Sequence, residues 1–247
     1  MPAQPEAYVA IEAASSPAFA RDGATLFHLR GSSLPQLWAL DLATGQDRQL
    51  TDHDEKIAFI RRAPGDDRLI YGIDAGGDER QQLWLYDNHT TRPLTADPRV
   101  IHDFGAWSPD GTHIAYAAND RDESHFDLMI RPLAGEGAAA RFHEGTNQLS
   151  VAGYSPDGRR LAVVLDHAFE QQTLVLLDVI GGGHHEIAPA QHARFASVRW
   201  ASDGNGLLCL TDAGGRDFLA LCRLDPDHGA ATPLYAPDGR DVEAYSV

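Results

Sequence analysis

Lysine is almost absent from this sequence: Lys56 stands alone among 247 residues, and arginine supplies the rest of the 20 basic positions. Against them stand 36 acids, for a formal net charge of −16. So little positive charge excludes a binder of duplex nucleic acid, which needs clustered Lys and Arg on the phosphates. It equally disfavours adhesion to anionic membranes. Cysteine is scarce too. Cys209 and Cys222 are too few for a disulfide scaffold. No stretch approaches the roughly 18 apolar residues of a membrane span. Met1 to Pro17 lacks the basic and apolar regions of a secretory signal, so the expected location is the cytoplasm. Hydrophobic residues at 43% nevertheless suffice for a real core.

What the sequence does have is a repeat. Trp107-Ser108-Pro109-Asp110-Gly111 returns as Tyr154-Ser155-Pro156-Asp157-Gly158 and, degraded, as Trp200-Ala201-Ser202-Asp203-Gly204. An earlier copy reads Phe19-Ala20-Arg21-Asp22-Gly23, and a weaker one Arg62-Ala63-Pro64-Gly65-Asp66. The aspartates are spaced by 44, 44, 47 and 46 residues. After each turn comes a β-rich run such as Leu69 to Ile73 or Leu161 to Leu165. A polar loop follows, then a second run such as Leu83 to Tyr86 or Phe218 to Leu221, and then a short edge segment such as Arg92 to Thr95. With the run before the turn, that makes four strands per unit.

The residue types suit this geometry. Proline presets the backbone of the first central turn position, glycine supplies a positive φ, and aspartate closes the turn on its own backbone. Pro93 and Pro233 fit edge strands, whose outward N–H has no ladder partner. Four-stranded units at a period of 40–50 residues indicate an all-β propeller of antiparallel blades. A β-sandwich has similar strands but would not repeat one turn at this spacing. The expected blades cover 12–51, 57–95, 101–143, 148–188 and 194–234, in one domain, with 241–247 as the first strand of a further blade. Either that segment and Tyr8 to Ile11 help to close an unusual ring, or the chain is a portion of a longer protein; the second is the expectation.

The turns, the Gly76-Gly77-Asp78-Glu79-Arg80-Gln81-Gln82-Leu83-Trp84 run and the stretch from Ile101 through Trp107 to Gly111 resemble TolB-like repeats. In particular they resemble the N-terminal propeller of prolyl oligopeptidase family serine peptidases, in the acylaminoacyl-peptidase-like branch. The resemblance spans nearly the whole chain. It implies a propeller of about seven blades that packs on an α/β-hydrolase domain and admits peptide substrates by size. The catalytic part is missing here. A nucleophile elbow reads Gly-x-Ser-x-Gly, and Gly31-Ser32-Ser33-Leu34-Pro35 fails at its last position. Gly181-Gly182-Gly183-His184 fits a hairpin turn rather than an oxyanion segment. No catalytic residue is assigned, and no cofactor is expected. The alternative is a free-standing TolB-like scaffold for a protein partner.

Other candidates point to structure. His184-His185-Glu186 lacks the helical spacing of zinc peptidases and reads as a solvated turn. Asp225 to Gly229 lacks the ligand set of a calcium loop, and Asn88-His89-Thr90 reads as a turn. No metal site is assigned. Cys209 and Cys222 lie equidistant from a hairpin centre near Gly215, which makes them cross-strand neighbours carrying reduced thiols. Trp38, Trp84, Trp107 and Trp200 recur at equivalent positions and read as packing between blades. The candidate binding rim lies on the loops between second and third strands and on the blade-to-blade connections. It comprises Asp74, Asp78, Glu79, Arg80, His102, Asp103, Asp120, Arg121, Asp122 and Glu123, from loops placed at 74–80 and 119–127 and the connection at 101–103.

Overall fold

The four Asp-Gly turns at 22–23, 110–111, 157–158 and 203–204, and the Gly65-Asp66 turn, each join the first and second strands of a four-stranded antiparallel sheet in the computed structural model, which describes residues 13–135, 137–168, 171–187 and 193–246. The first sheet comprises β1 (Ala13–Phe19), β2 (Thr25–Gly31), β3 (Gln36–Asp41) and β4 (Asp47–Gln49); the second comprises β5 (Ile57–Arg62), β6 (Leu69–Ile73), β7 (Gln82–Asp87) and β8 (Thr90–Pro93). The third comprises β9 (His102–Trp107), β10 (His113–Asp122), β11 (His125–Pro132) and β12 (Ala140–His143). The fourth comprises β13 (Leu149–Tyr154), β14 (Arg160–Ala168), β15 (Gln171–Asp178) and β16 (His184–Ile187). The fifth comprises β17 (Phe195–Trp200), β18 (Leu207–Thr211), β19 (Ala220–Leu224) and β20 (Ala231–Tyr235). Within each sheet the strands pair in chain order, the meander of a propeller blade. The protein is an all-β propeller of about five blades. No helix among the described residues is long and apolar enough to cross a membrane.

The chain divides into two compact units, 1–102 and 103–247. In the first unit, Phe27, Leu29 and Leu37 of the first blade share a core with Ile60, Leu69 and Tyr71 of the second. In the second unit, Val164, Leu174 and Leu176 pack with Leu207, Cys209 and Cys222. Burying each large side chain is worth about 1.5–3 kcal/mol.

The turns are closed as their residue types require. Ser108 Oγ donates to Asp110 Oδ1 (2.6 Å), and the His113 N–H donates to Ser108 Oγ (2.9 Å). Ser155, Asp157 and Arg160 repeat the arrangement at 2.6 and 2.9 Å. Where alanine replaces serine the aspartate still acts, as Asp22 Oδ1 accepts from the Ala24 N–H and Asp203 Oδ1 from the Asn205 N–H. Gly23, Gly111, Gly158 and Gly204 all hold φ between 68° and 71°. The weak copy departs: Gly65 precedes its aspartate and is not among the positive-φ glycines. Asn88 and His89, read as a turn, form a two-residue hairpin with φ of 45° and 66°.

Three expectations need correction. Residues 241–246 form no strand ladder, because no second strand of a further blade is present among the described residues to pair with them. They are held instead on the fifth blade: the Val242 N–H donates to Leu219 O (2.9 Å), and Tyr245 Oη donates to Ser197 O and Leu208 O (2.5 and 2.9 Å). His184-His185-Glu186 lies on the edge strand β16 rather than in a turn, paired with Leu177, Leu176 and Val175. Phe218 and Leu219 precede β19, and Phe218 is exposed. Tyr8 to Ile11 and the start of the first blade at residue 12 lie outside the described residues, as do residue 188 and Val247.

The tryptophans divide. Trp107 is buried, Trp84 packs on the first unit's core, and Trp200 packs on the second's while donating Nε1–H to Gly153 O of the preceding blade (3.0 Å). Trp38 departs from the expected packing between blades. It is half-buried beneath the Arg30 guanidinium, 4.9 Å from the ring centre.

Gly23→Ala should destabilise the first unit by about 1 kcal/mol, since no atom lies within 4 Å of the added Cβ and the backbone strain acts alone. Gly65→Ala, equally open but without the positive φ, should change stability by less than about 0.5 kcal/mol; urea titrations compare the two. The Ser108 hydroxyl and then the Thr112 N–H hold the Asp110 carboxyl down at about 2. A carboxyl depressed in the folded state contributes stability above its ordinary value near 4, and that contribution is lost as pH falls towards 2. Ser108→Ala should therefore move the acid-unfolding midpoint, followed by circular dichroism, to higher pH.

Candidate binding rim

The loops between second and third strands lie beside the blade-to-blade connections, and a polar side chain near the start of the third strand holds them there. Gln36 Nε2 donates to His53 O and Glu55 O (3.2 and 3.0 Å), while its Oε1 accepts from the His53 N–H (2.9 Å). Gln82 Nε2 donates to Arg80 O, Asp97 O and Val100 O (3.1, 2.9 and 3.0 Å). Asp127 Oδ1 accepts from the Gly145 N–H (2.9 Å). These three residues precede Leu37, Leu83 and Leu128, so the latch occupies one repeat position. Thr51 and Thr95 add the same bond twice, their Oγ1 accepting from the Leu37 and Leu83 N–H at 2.9 and 2.8 Å. Sequence reasoning missed the latch; the one available signal was Gln-Leu-Trp, which occurs at both 36–38 and 82–84.

In the first unit the predicted residues separate by burial. Asp74 is only 5% exposed, its Oδ2 accepting from the Glu79 N–H (3.3 Å). His102 is buried as the first residue of β9, and its backbone N–H donates to Gln81 O (3.1 Å). Neither offers a charge to solvent. Asp78 Oδ1 accepts from the Arg80 N–H (3.0 Å). The Glu79 and Arg80 side chains make no hydrogen bond or ion pair among the described residues, and Glu79 stands exposed at a φ of 63°. Beside this loop His53 Nε2 meets Tyr71 Oη at 3.0 Å, with the Trp84 ring 4.9 Å away. Burial lowers the His53 pKa, so the ring is neutral at pH 7.

In the second unit the loop placed at 119–127 is mostly strand. Asp120, Arg121 and Asp122 continue β10, and Glu123-Ser124 alone make the turn, because Asp122 Oδ1 caps the Ser124 N–H (2.8 Å) and Asp122 pairs with His125. Three of the four candidates are spent on the fold. Arg121 and Arg141 both bind Asp127 (each 2.9 Å), which has no exposed surface, and Arg141 also reaches Asp120 (3.0 Å). Burial works to raise the Asp127 carboxyl, but bonds from Arg121 and the Gly145 N–H, with the two arginine charges, keep it below the usual range. Asp122 faces His125 at 3.0 Å. Only the Glu123 carboxylate of these four has no partner among the described residues. Asp103 is exposed on β9.

Acidic side chains also serve the other end of the blades. Asp22, Asp110, Asp157 and Asp203 close turns at the other end of their blades, and Asp41, Asp178 and Asp225 cap the turns after third strands. Of the ten predicted rim residues, Glu79, Arg80 and Glu123 keep side chains without a hydrogen bond or ion pair among the described residues, and the connection held by Gln36 adds the exposed Asp52 and Asp54.

No family model and no curated protein matches the sequence. Solved structures do. The chain superposes on a structure from an analysis of two prolyl endopeptidases with a TM-score of 0.75 at 14% identity, covering 94% of this chain and 37% of that one. It has a TolB-like propeller fold. A puromycin hydrolase matches at 0.65 and 19% identity, over 91% of this chain and 40% of that one. TolB from Acinetobacter baumannii matches at 0.59 and 16%, over 89% and 53%. The TolB-like chain thus spans less than half the length of either enzyme and about half of TolB. At these identities the likeness is one of fold.

The two kinds of rim residue should respond differently to mutation. Asp127→Asn leaves Arg121 and Arg141 without their shared carboxylate. Because both guanidinium side chains are about a third exposed, the loss should be about 2–3 kcal/mol in urea unfolding, below that of a fully buried pair. Glu123→Gln should alter stability by less than about 0.5 kcal/mol.

Proposed function

We propose that this chain is the propeller portion of a prolyl oligopeptidase-type serine peptidase. It packs on an α/β-hydrolase domain and restricts access to that domain's active site. The observation that carries this reading is the superposition on the prolyl endopeptidase structure, in which nearly all of this chain accounts for 37% of the longer one. The puromycin hydrolase match has the same proportions. The absence of a Gly-x-Ser-x-Gly elbow within the chain is consistent with that division of labour. In this reading the mechanism is steric and electrostatic. Within each unit the latched loops present the charges that meet a peptide, Glu79 and Arg80 in the first and Glu123 in the second, and these bias which peptide termini approach.

The reading is tested in two steps. The reading frame after Val247 should continue into a hydrolase domain with a Gly-x-Ser-x-Gly motif; a stop codon there would favour a scaffold for a protein partner. In the continuous protein, combined Glu79→Gln, Arg80→Gln and Glu123→Gln should change kcat/KM several-fold for charged peptides relative to neutral ones. The isolated chain should hydrolyse neither, and reproducible turnover by it would refute the division of labour.

A further inference from the structure

A cleft of about 630 Å³ opens between the third and fourth blades at the Asp-Gly turn end, away from the rim. The corresponding cleft between the fourth and fifth blades shows what such a space holds when the protein fills it. There Arg160, the first residue of β14, lays its guanidinium over the Trp200 ring at 5.0 Å and donates to Asp227 at 3.2 Å. The cleft carries its own cation, an aromatic face beneath it and a carboxylate beside it.

One blade earlier each of these positions is occupied differently. Tyr154 ends β13 as Trp200 ends β17, and His113 begins β10 as Arg160 begins β14. Ile180 stands where Asp227 stands: Asp178 Oδ1 accepts from the Ile180 and Gly181 N–H as Asp225 Oδ1 accepts from those of Asp227 and His228. The arginine is gone, and no guanidinium lies over Tyr154 among the described residues. The wall opposite has become apolar, with Ile180 71% exposed at the lip. The negative charge remains. Asp110 and Asp157 line the cleft, and each spends Oδ1 on its own turn while Oδ2 makes no bond among the described residues. Both carboxyls are held low by their serine hydroxyls, so they stay ionised through the physiological range.

We propose that this cleft binds an organic cation, a guanidinium or amidinium on an apolar body, in the place that Arg160 takes one blade later. The cation lies over the Tyr154 ring with the Asp110 and Asp157 carboxylates beside it, and the apolar body rests on Val179 and Ile180. An aromatic face and fixed carboxylates favour a delocalised, weakly hydrated cation over an ammonium. The volume suits a small molecule. This site is independent of the peptidase reading, since it lies at the opposite end of the blades from the rim.

The probe is benzamidine, titrated into the intact chain by calorimetry, with neutral benzamide and anionic benzoate as controls. Benzamidine should bind with 1:1 stoichiometry and at least about tenfold more tightly than benzamide, and benzoate should not bind. His113→Arg installs the next blade's arrangement and should abolish binding with the circular dichroism spectrum unchanged. Ile180→Asp, at an exposed turn position, restores the carboxylate that Asp227 offers Arg160 while Val179 still seats the apolar body, and should tighten binding several-fold. An arginine-containing tripeptide that binds more tightly than benzamidine identifies a peptide side chain as the cation's source; weaker binding identifies a free small molecule. Equal affinity for benzamidine and benzamide overturns the proposal. So does benzamidine binding that survives His113→Arg while Ile180→Asp leaves it unchanged.

Discussion

A four-stranded meander has two faces, and in this protein one of them is too apolar to leave in water. Leu37 in the first blade and Leu174 and Cys222 in later ones have no exposed surface, and their partners lie on the neighbouring blade as well as on their own sheet. A blade is therefore not a stable object by itself. Much of the remaining architecture serves that stacking. The chain must leave the edge strand, cross to the inside of the next sheet and start again in register. Gln36, Gln82 and Asp127 bind the backbone of the connections that make the crossing. Turns at the other end fix where the second strand begins, and in the second unit they also touch from blade to blade. Pro109 lies within van der Waals distance of the position a Cβ on Gly158 would take, and Pro156 does the same for Gly204.

This division explains the charge. An excess of acid in a propeller could mean an electrostatic surface for a partner, but most of these aspartates are engaged with nearby N–H groups. A carboxylate two residues before an N–H closes a turn at no cost in length, and the protein uses that device repeatedly. Pairing with arginine takes up others, as at Asp47 with Arg30 and Asp212 with Arg194. Net charge thus records how turns are made more than what is bound.

The fold was legible because its punctuation repeats. Ser-Pro-Asp-Gly is a local device whose chemistry is complete within about five residues, so counting spacings sufficed to locate five sheets, while the Cys209–Cys222 register followed from the symmetry of their own hairpin. The rim was legible only in part. Which loops lie together followed from meander topology, but which charges are free depended on partners far along the chain. Arg141 lies 21 residues from Asp120, and Gly145 lies 18 from Asp127. Asp74 looked like a loop acid and is buried by the fold of its own hairpin. The latch escaped notice because glutamine and aspartate perform it interchangeably, with no fixed spacing to their acceptors.

Cys209 and Cys222 face one another across β18 and β19, both fully buried, with burial pushing the Cys209 thiol up to about 12. Thiols so placed stay protonated and out of reach of alkylating reagents, since the thiolate is the reactive form. The molecule therefore behaves towards maleimide chemistry as though it had no cysteine. A single cysteine introduced at Glu123 or Ile180 would take a fluorophore or spin label without background, so the two ends of the blades could be reported on separately in an otherwise native chain.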